Sequence, residues 1–161
     1  MTIKVGDKLP SVTLRQITPE GPKEVTTDDF FRGKRVALFA VPGAFTPACS
    51  QRHLPGYVDK SADIKGKGVD EVACVAVNDA AVMTAWGKDQ KTEGKVAMLA
   101  DGSGDLARAL GLELDLTKNG LGTRSKRYSM LVDNGVVKSL NVEQQPGQVD
   151  VSSAEAMLRA L

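Results

Sequence analysis

Two short apolar runs do most to limit what this chain can fold into. Val36–Val41 (VALFAV) and Val72–Val77 (VACVAV) are rich in strand-forming residues and carry no charged side chain. Runs of this length and character are expected of buried strands. Pro42-Gly43 ends the first run. The residues from Thr46 towards Ile64 then read as a helix, with Thr46 as its cap and Pro47 at the first helical position. Pro55 falls inside that helix and is expected to kink it or to end its first part. After the second run, Asn78 stands where it would cap a helix through about Gly87. Buried strands alternating with helices make a sheet with helices packed on its faces.

The remaining segments extend this plan. Val96–Ala100 reads as another strand and Asp105–Leu110 as a short helix. Tyr128–Val132 and Val136–Val142, joined through Asp133-Asn134-Gly135, read as a hairpin with Asn-Gly as its turn. Ser152 and Glu155 have capping-box spacing for a last helix ending at Leu161. Near the start, Ser11–Leu14 and Glu24–Thr26 are expected to pair around residues 19–22 as an N-terminal hairpin. The expected class is α/β, with a central sheet of both parallel and antiparallel pairs flanked by helices.

At 161 residues the chain suits one domain, 1–161, with a sizeable core. Lys and Arg number 21 and Asp and Glu 20, a net charge of +1, so no broad field draws the chain to nucleic acid or an anionic membrane. Its apolar runs are far shorter than the ~20 residues of a membrane span, and MTIKVGDKLP has no apolar stretch of signal type. Two cysteines, Cys49 and Cys74, do not make a disulfide scaffold and fit a reducing compartment. A cytoplasmic location is expected.

Cys49 lies three residues after Thr46, at the start of the helix that follows a buried strand. Unpaired amide N–H groups and the helix dipole favour an anion there, and a thiolate is the reactive form of cysteine. The position suits a nucleophile or redox centre; a small buried hydrophobe is the other reading. Thr46-x-x-Cys49 also has the spacing of a Cys-x-x-Cys redox motif, with a hydroxyl in place of the first sulfur. That removes adjacent-dithiol chemistry and leaves a hydroxyl able to hydrogen-bond a polar substrate.

Pro42-x-x-x-Thr46-x-x-Cys49 resembles the active-site signature of the peroxiredoxins, and the fuller run PGAFTPACSQRHLPGY resembles their type II, peroxiredoxin-5-like branch. The resemblance covers nearly the whole chain, through KVGDKLPSVTL, CVAVNDAAVMTAWG, GKVAMLADGSG and KRYSMLVDNGVVKSLNVE. It implies a thioredoxin-like fold, reduction of hydrogen peroxide or organic hydroperoxides, no metal or other cofactor, and a homodimer. Residue by residue, it implies Cys49 as the peroxidatic cysteine and Thr46 as the hydroxyl that orients the peroxide. Pro42 would shield the site. Arg127, before Tyr128-Ser129-Met130, would be the active-site arginine, with Arg124 and Lys126 close by in sequence.

His53, the only histidine, falls four residues after Cys49, on the same side of a helix. Two ligands are too few for a closed zinc site, so His53 is read as structural or peripheral. Cys74 sits inside VACVAV and is read as a core residue, with resolution of the oxidised Cys49 as its other reading. Some members of the branch carry a resolving cysteine after the NVE block, where this chain has Val151 or Ser152. Without that route, recycling by glutathione with glutaredoxin is expected, with thioredoxin as the alternative donor. Two other classes would use the same residues. One is a non-enzymatic redox sensor or interaction protein. The other is a thiol–disulfide oxidoreductase, against which the lack of Cys-x-x-Cys argues.

Overall fold

The computed structural model describes residues 1–161. The chain opens with a hairpin, β1 (Thr13–Thr18) and β2 (Gly21–Thr26), followed by α1 (Thr27–Phe31) and β3 (Arg35–Val41). A π-turn, Cys49–His53, leads into α2 (Leu54–Lys65), then come β4 (Glu71–Ala76), α3 (Ala80–Asp89), β5 (Ala97–Ala100) and α4 (Asp105–Leu110). A small hairpin of β6 (Glu113–Leu116) and β7 (Gly122–Ser125) precedes β8 (Tyr128–Asp133), β9 (Val136–Val142) and α5 (Ala154–Ala160).

Seven strands form one sheet in the order β2-β1-β5-β4-β3-β8-β9. The three central strands β5, β4 and β3 are parallel, and antiparallel strands flank them on both sides. The two apolar runs are therefore β3 and β4, buried side by side. Their two-residue period sends Ala37, Phe39, Val41, Val72, Cys74 and Ala76 to one face, packed with residues of α2, α3 and α5. Val36, Leu38, Ala40, Ala73 and Val75 go to the other face, against Phe30, Phe31, Leu106 and Leu110 of α1 and α4. Both faces are apolar because both are covered.

Several boundaries differ from the sequence reading, each for a local reason. The N-terminal hairpin is longer, pairing Leu14 with Val25 and Thr18 with Gly21. Asp79, not Asn78, caps α3, its carboxylate accepting the Val82 amide at 2.8 Å. Asn78 instead accepts the Ala44 amide at 2.9 Å, tying the β3–α2 loop to the end of β4. Ser153, not Ser152, caps α5. The β6–β7 hairpin is absent from the sequence reading: Leu112–Leu116 (LELDL) does alternate as a strand does, but both strands are only four residues long and GTRS carries no such alternation. At Asn134-Gly135 the expected turn is present, with φ of 47° and 82°, the left-handed pair that a type I′ turn requires.

Candidate active site

The β3–α2 connection departs most from a regular helix start. Thr46 stands at the expected cap position, with Pro47 first in the helix and the Thr46 carbonyl accepting the Ser50 amide at 2.9 Å, but its side chain makes no capping bond. Its hydroxyl donates to the Gly43 carbonyl at 2.6 Å, folding the loop back on itself. A Cβ on residue 43 would lie 3.2 Å from the Thr46 methyl, so glycine lets this loop close. Phe45 takes up the reversal with φ of 64°, a conformation that costs a non-glycine residue about 1 kcal/mol or more. It stays 52% exposed. Pro42 is buried beneath the loop.

Cys49 begins the π-turn, and the Leu54 amide bonds back to the Cys49 carbonyl, one residue further than an α-helix would reach. Pro55 follows at once and supplies no amide hydrogen. The first part of the helix therefore ends where the proline was expected to end it. The π-turn brings Cys49 and His53 inward together, 0% and 1% exposed. Beside Cys49, Ser50 accepts a hydrogen bond from the buried Trp86 ring nitrogen at 3.0 Å.

Arg127 comes to this pair from the start of β8. Residues 127, 129 and 131 alternate onto the sheet face that carries α2, and Arg127 is only 2% exposed. All three of its guanidinium nitrogens are engaged. Nη2 donates to Cys49 Sγ at 3.1 Å, Nη1 meets His53 Nδ1 at 2.9 Å, and Nε donates to the Pro146 carbonyl at 2.9 Å. Arg124 points elsewhere, donating from Nη1 to the Val77 carbonyl and from Nε to the Leu121 carbonyl, each at 2.8 Å.

Of the two readings of His53, structural or peripheral, the structure bears out the first: it is a buried support of the arginine, a partner the sequence did not name. Its Nε2 lies 3.0 Å from the Ser152 carbonyl, which can only accept, so the ring proton sits on Nε2. Nδ1 is then the acceptor for Arg127. Both nitrogens are committed, which leaves neither for a metal ion or for general-base work. Phe39 packs 4.9 Å from the ring, and Tyr57, stacked on Phe39 at 3.9 Å, donates its hydroxyl to the same Ser152 carbonyl at 2.8 Å. The i+4 spacing from Cys49 was the one available signal.

Burial, reinforced by the Arg127 charge, pushes the His53 ring down to about 3. An unfolded histidine titrates near 6.5, so between these values the unfolded chain binds the extra proton. Stability is full above about pH 6.5 and falls as pH is lowered through this window, by at most about 1.4 kcal/mol per pH unit from this group. Urea unfolding at pH 7 and pH 5 is expected to show that loss in the wild-type chain and a smaller one in His53→Asn. Equal losses would remove His53 as its source.

Cys74 lies on the same face as Cys49, fully buried between β3 and β5, and both cysteines are free thiols. Burial, with Cys49 nearby, pushes the Cys74 thiol well up, so it stays protonated and a poor nucleophile near neutral pH. A cavity of about 730 Å³ between α2 and α5 is lined by Arg52, Lys60 and Arg159 among others and does not include Cys49. Chemistry, not cavity size, marks the site: a buried sulfur with a fixed guanidinium on it and a hydroxyl three residues away.

Comparison with known proteins agrees with that chemistry. The family model described as Redoxin matches residues 4–158. Peroxiredoxin-2E, chloroplastic, of Arabidopsis thaliana is 51% identical over 164 residues, covering 99% of this chain and 70% of that relative. Among solved structures, reduced Prx3 of Vibrio vulnificus in complex with H2O2 superposes with a TM-score of 0.93 at 51% identity, covering 99% of each chain. Peroxiredoxin 5 of Alvinella pompejana superposes with a TM-score of 0.86 at 40% identity, covering 98% of this chain and 97% of that one.

Proposed function

Because this chain belongs to the redoxin family and, within it, to the type II peroxiredoxins, which are thiol-dependent peroxidases, we propose that the sulfur it oxidises is Cys49. The observation that carries this reading is the 3.1 Å contact from Arg127 Nη2 to Cys49 Sγ, made by a guanidinium pinned at its other two nitrogens. The Cys49 thiolate attacks one peroxide oxygen in line with the O–O bond. The S–O bond forms as the O–O bond breaks, and the departing oxygen takes a proton and leaves as water or an alcohol. Cys49 is left as a sulfenic acid. Arg127 donates to the oxygens as charge builds on them, Thr46 orients the peroxide, and Pro42 shields the sulfur from water.

Recycling is assigned to a small external thiol. Cys74 is a closed core residue in a central strand, and Val151 and Ser152 stand where some relatives carry a resolving cysteine. Glutathione attacks the sulfenic sulfur, displaces water and forms a mixed disulfide, which glutaredoxin then reduces; thioredoxin is the alternative donor. We further read the chain as a cytoplasmic homodimer. The exposed Phe45 at the rim of the site is apolar surface of the kind a second copy would cover.

Cys74→Ala tests this. Losing a buried sulfur is expected to cost about 1 kcal/mol of stability. After one equivalent of peroxide and then glutathione, intact mass is expected to show one glutathione adduct, on Cys49, and turnover with glutathione and glutaredoxin persists. A variant that stalls with both donors makes Cys74 the resolving thiol and overturns the recycling scheme.

A further inference from the structure

The arginine and histidine of the site are both held from outside by one irregular segment, residues 143–153, which supplies the Pro146 and Ser152 carbonyls. That segment has no strand or helix of its own. A carboxylate fixes it. Glu143, 8% exposed, follows β9, and its amide donates to the Arg127 carbonyl at 2.9 Å. Its Oε2 accepts three hydrogen bonds from the far end of the segment: the Asp150 amide at 2.7 Å, the Ser152 amide at 2.8 Å and the Ser152 hydroxyl at 2.6 Å. No cation lies within 4.0 Å of this carboxylate. A nearly buried carboxylate with no counter-ion is costly, and here its compensation comes entirely from the segment that carries the Ser152 carbonyl.

We propose that Glu143 is a positioning residue for the peroxide reaction: its carboxylate latches residues 150–152, so that the Ser152 carbonyl holds His53, His53 holds Arg127, and Arg127 stays on Cys49 Sγ. Each link is a hydrogen bond between buried groups, and the last three measure 3.0, 2.9 and 3.1 Å. Without the latch the Ser152 carbonyl still meets the Tyr57 hydroxyl at 2.8 Å and the Ser153 amide still bonds the Asp150 carbonyl at 3.2 Å. The Gln145–Gln148 turn and the Arg52 bond to the Gly147 carbonyl do not reach Ser152, and no other side chain bonds the Asp150 and Ser152 amides. Loosening it costs the fork its aim without removing any group that touches peroxide. The inference rests on Cys49 being the peroxidatic sulfur.

The test compares Glu143→Gln, Glu143→Asp and Glu143→Ala in the full chain, reading two rates at Cys49: reaction with hydrogen peroxide and alkylation by iodoacetamide. Alkylation needs the sulfur but no donor aimed at a departing oxygen. Glutamine keeps an acceptor oxygen at the same reach, whereas aspartate keeps the charge but falls one methylene short. The peroxide rate is therefore expected to hold within about threefold in Gln and to drop about tenfold in Asp and in Ala, with alkylation undiminished. Should the alanine variant not fold, the Gln–Asp order alone decides. Asp equal to or faster than Gln, or peroxide and alkylation rates falling together, overturns the latch. A Cys49→Ser chain, with Glu143 intact, whose peroxide turnover survives overturns the assignment of the sulfur instead.

Discussion

Peroxide turnover is expected to vanish in Cys49→Ser while the fold survives. Serine is close to cysteine in size, and its hydroxyl can still accept the Arg127 Nη2 hydrogen bond that now reaches Sγ at 3.1 Å, so the buried position is neither emptied nor left unpaired. What is lost is the chemistry. A serine hydroxyl does not ionise near neutral pH, and nothing in the site can take its proton, because both nitrogens of His53 are engaged and the ring is held down to about 3. Cys74 cannot substitute, since its thiol is fully buried and held protonated. The measurement is peroxide consumption with glutathione and glutaredoxin and, separately, with thioredoxin, alongside a urea melt. Activity above background in a folded Cys49→Ser chain would end the proposed mechanism.

The second large effect belongs to Arg127→Lys. Charge is kept, yet the second-order rate with peroxide is expected to fall about 10²-fold, the loss of one to two charge-assisted hydrogen bonds at about 1.5–3 kcal/mol each. Arginine serves Cys49, His53 and Pro146 at once through three nitrogens in one plane. A lysine has one nitrogen on a flexible stem and cannot reproduce that fork. Whichever partner it reaches, it leaves buried acceptors at the others unmet, so a fall in stability of roughly 1–3 kcal/mol is expected as well. Arg124→Lys is the control. Its donors go to the Val77 and Leu121 carbonyls and not to the sulfur, so its peroxide rate should change far less. If Arg124→Lys proves the slower of the two, the two arginines exchange roles.

Much of this was legible in the chain itself. VALFAV and VACVAV are strands because they are short, β-rich and apolar on both sides, and such strands need helices over both faces. Asn134-Gly135 dictates a tight hairpin turn through its two left-handed residues. Pro42, Thr46 and Cys49 lie within one strand–turn–helix junction, where neighbours in sequence are neighbours in space. Arg127 is 78 residues from Cys49, and only its flanking residues marked it.

Other features depended on which elements pack together. Whether the Thr46 side chain caps a helix or bonds Gly43 depends on how tightly the loop closes. The choice of Asp79 over Asn78 as cap turns on Ala44, 34 residues away, claiming the asparagine. His53 could be read only as structural or peripheral because nothing near it in sequence says that Arg127 and the Ser152 carbonyl, 74 and 99 residues distant, will meet its two nitrogens. Periodicity and turn chemistry act over a few residues, so they determine elements and their buried faces. A hydrogen-bond partner across the sheet is decided only when those faces close on one another and each buried polar atom has to find its match.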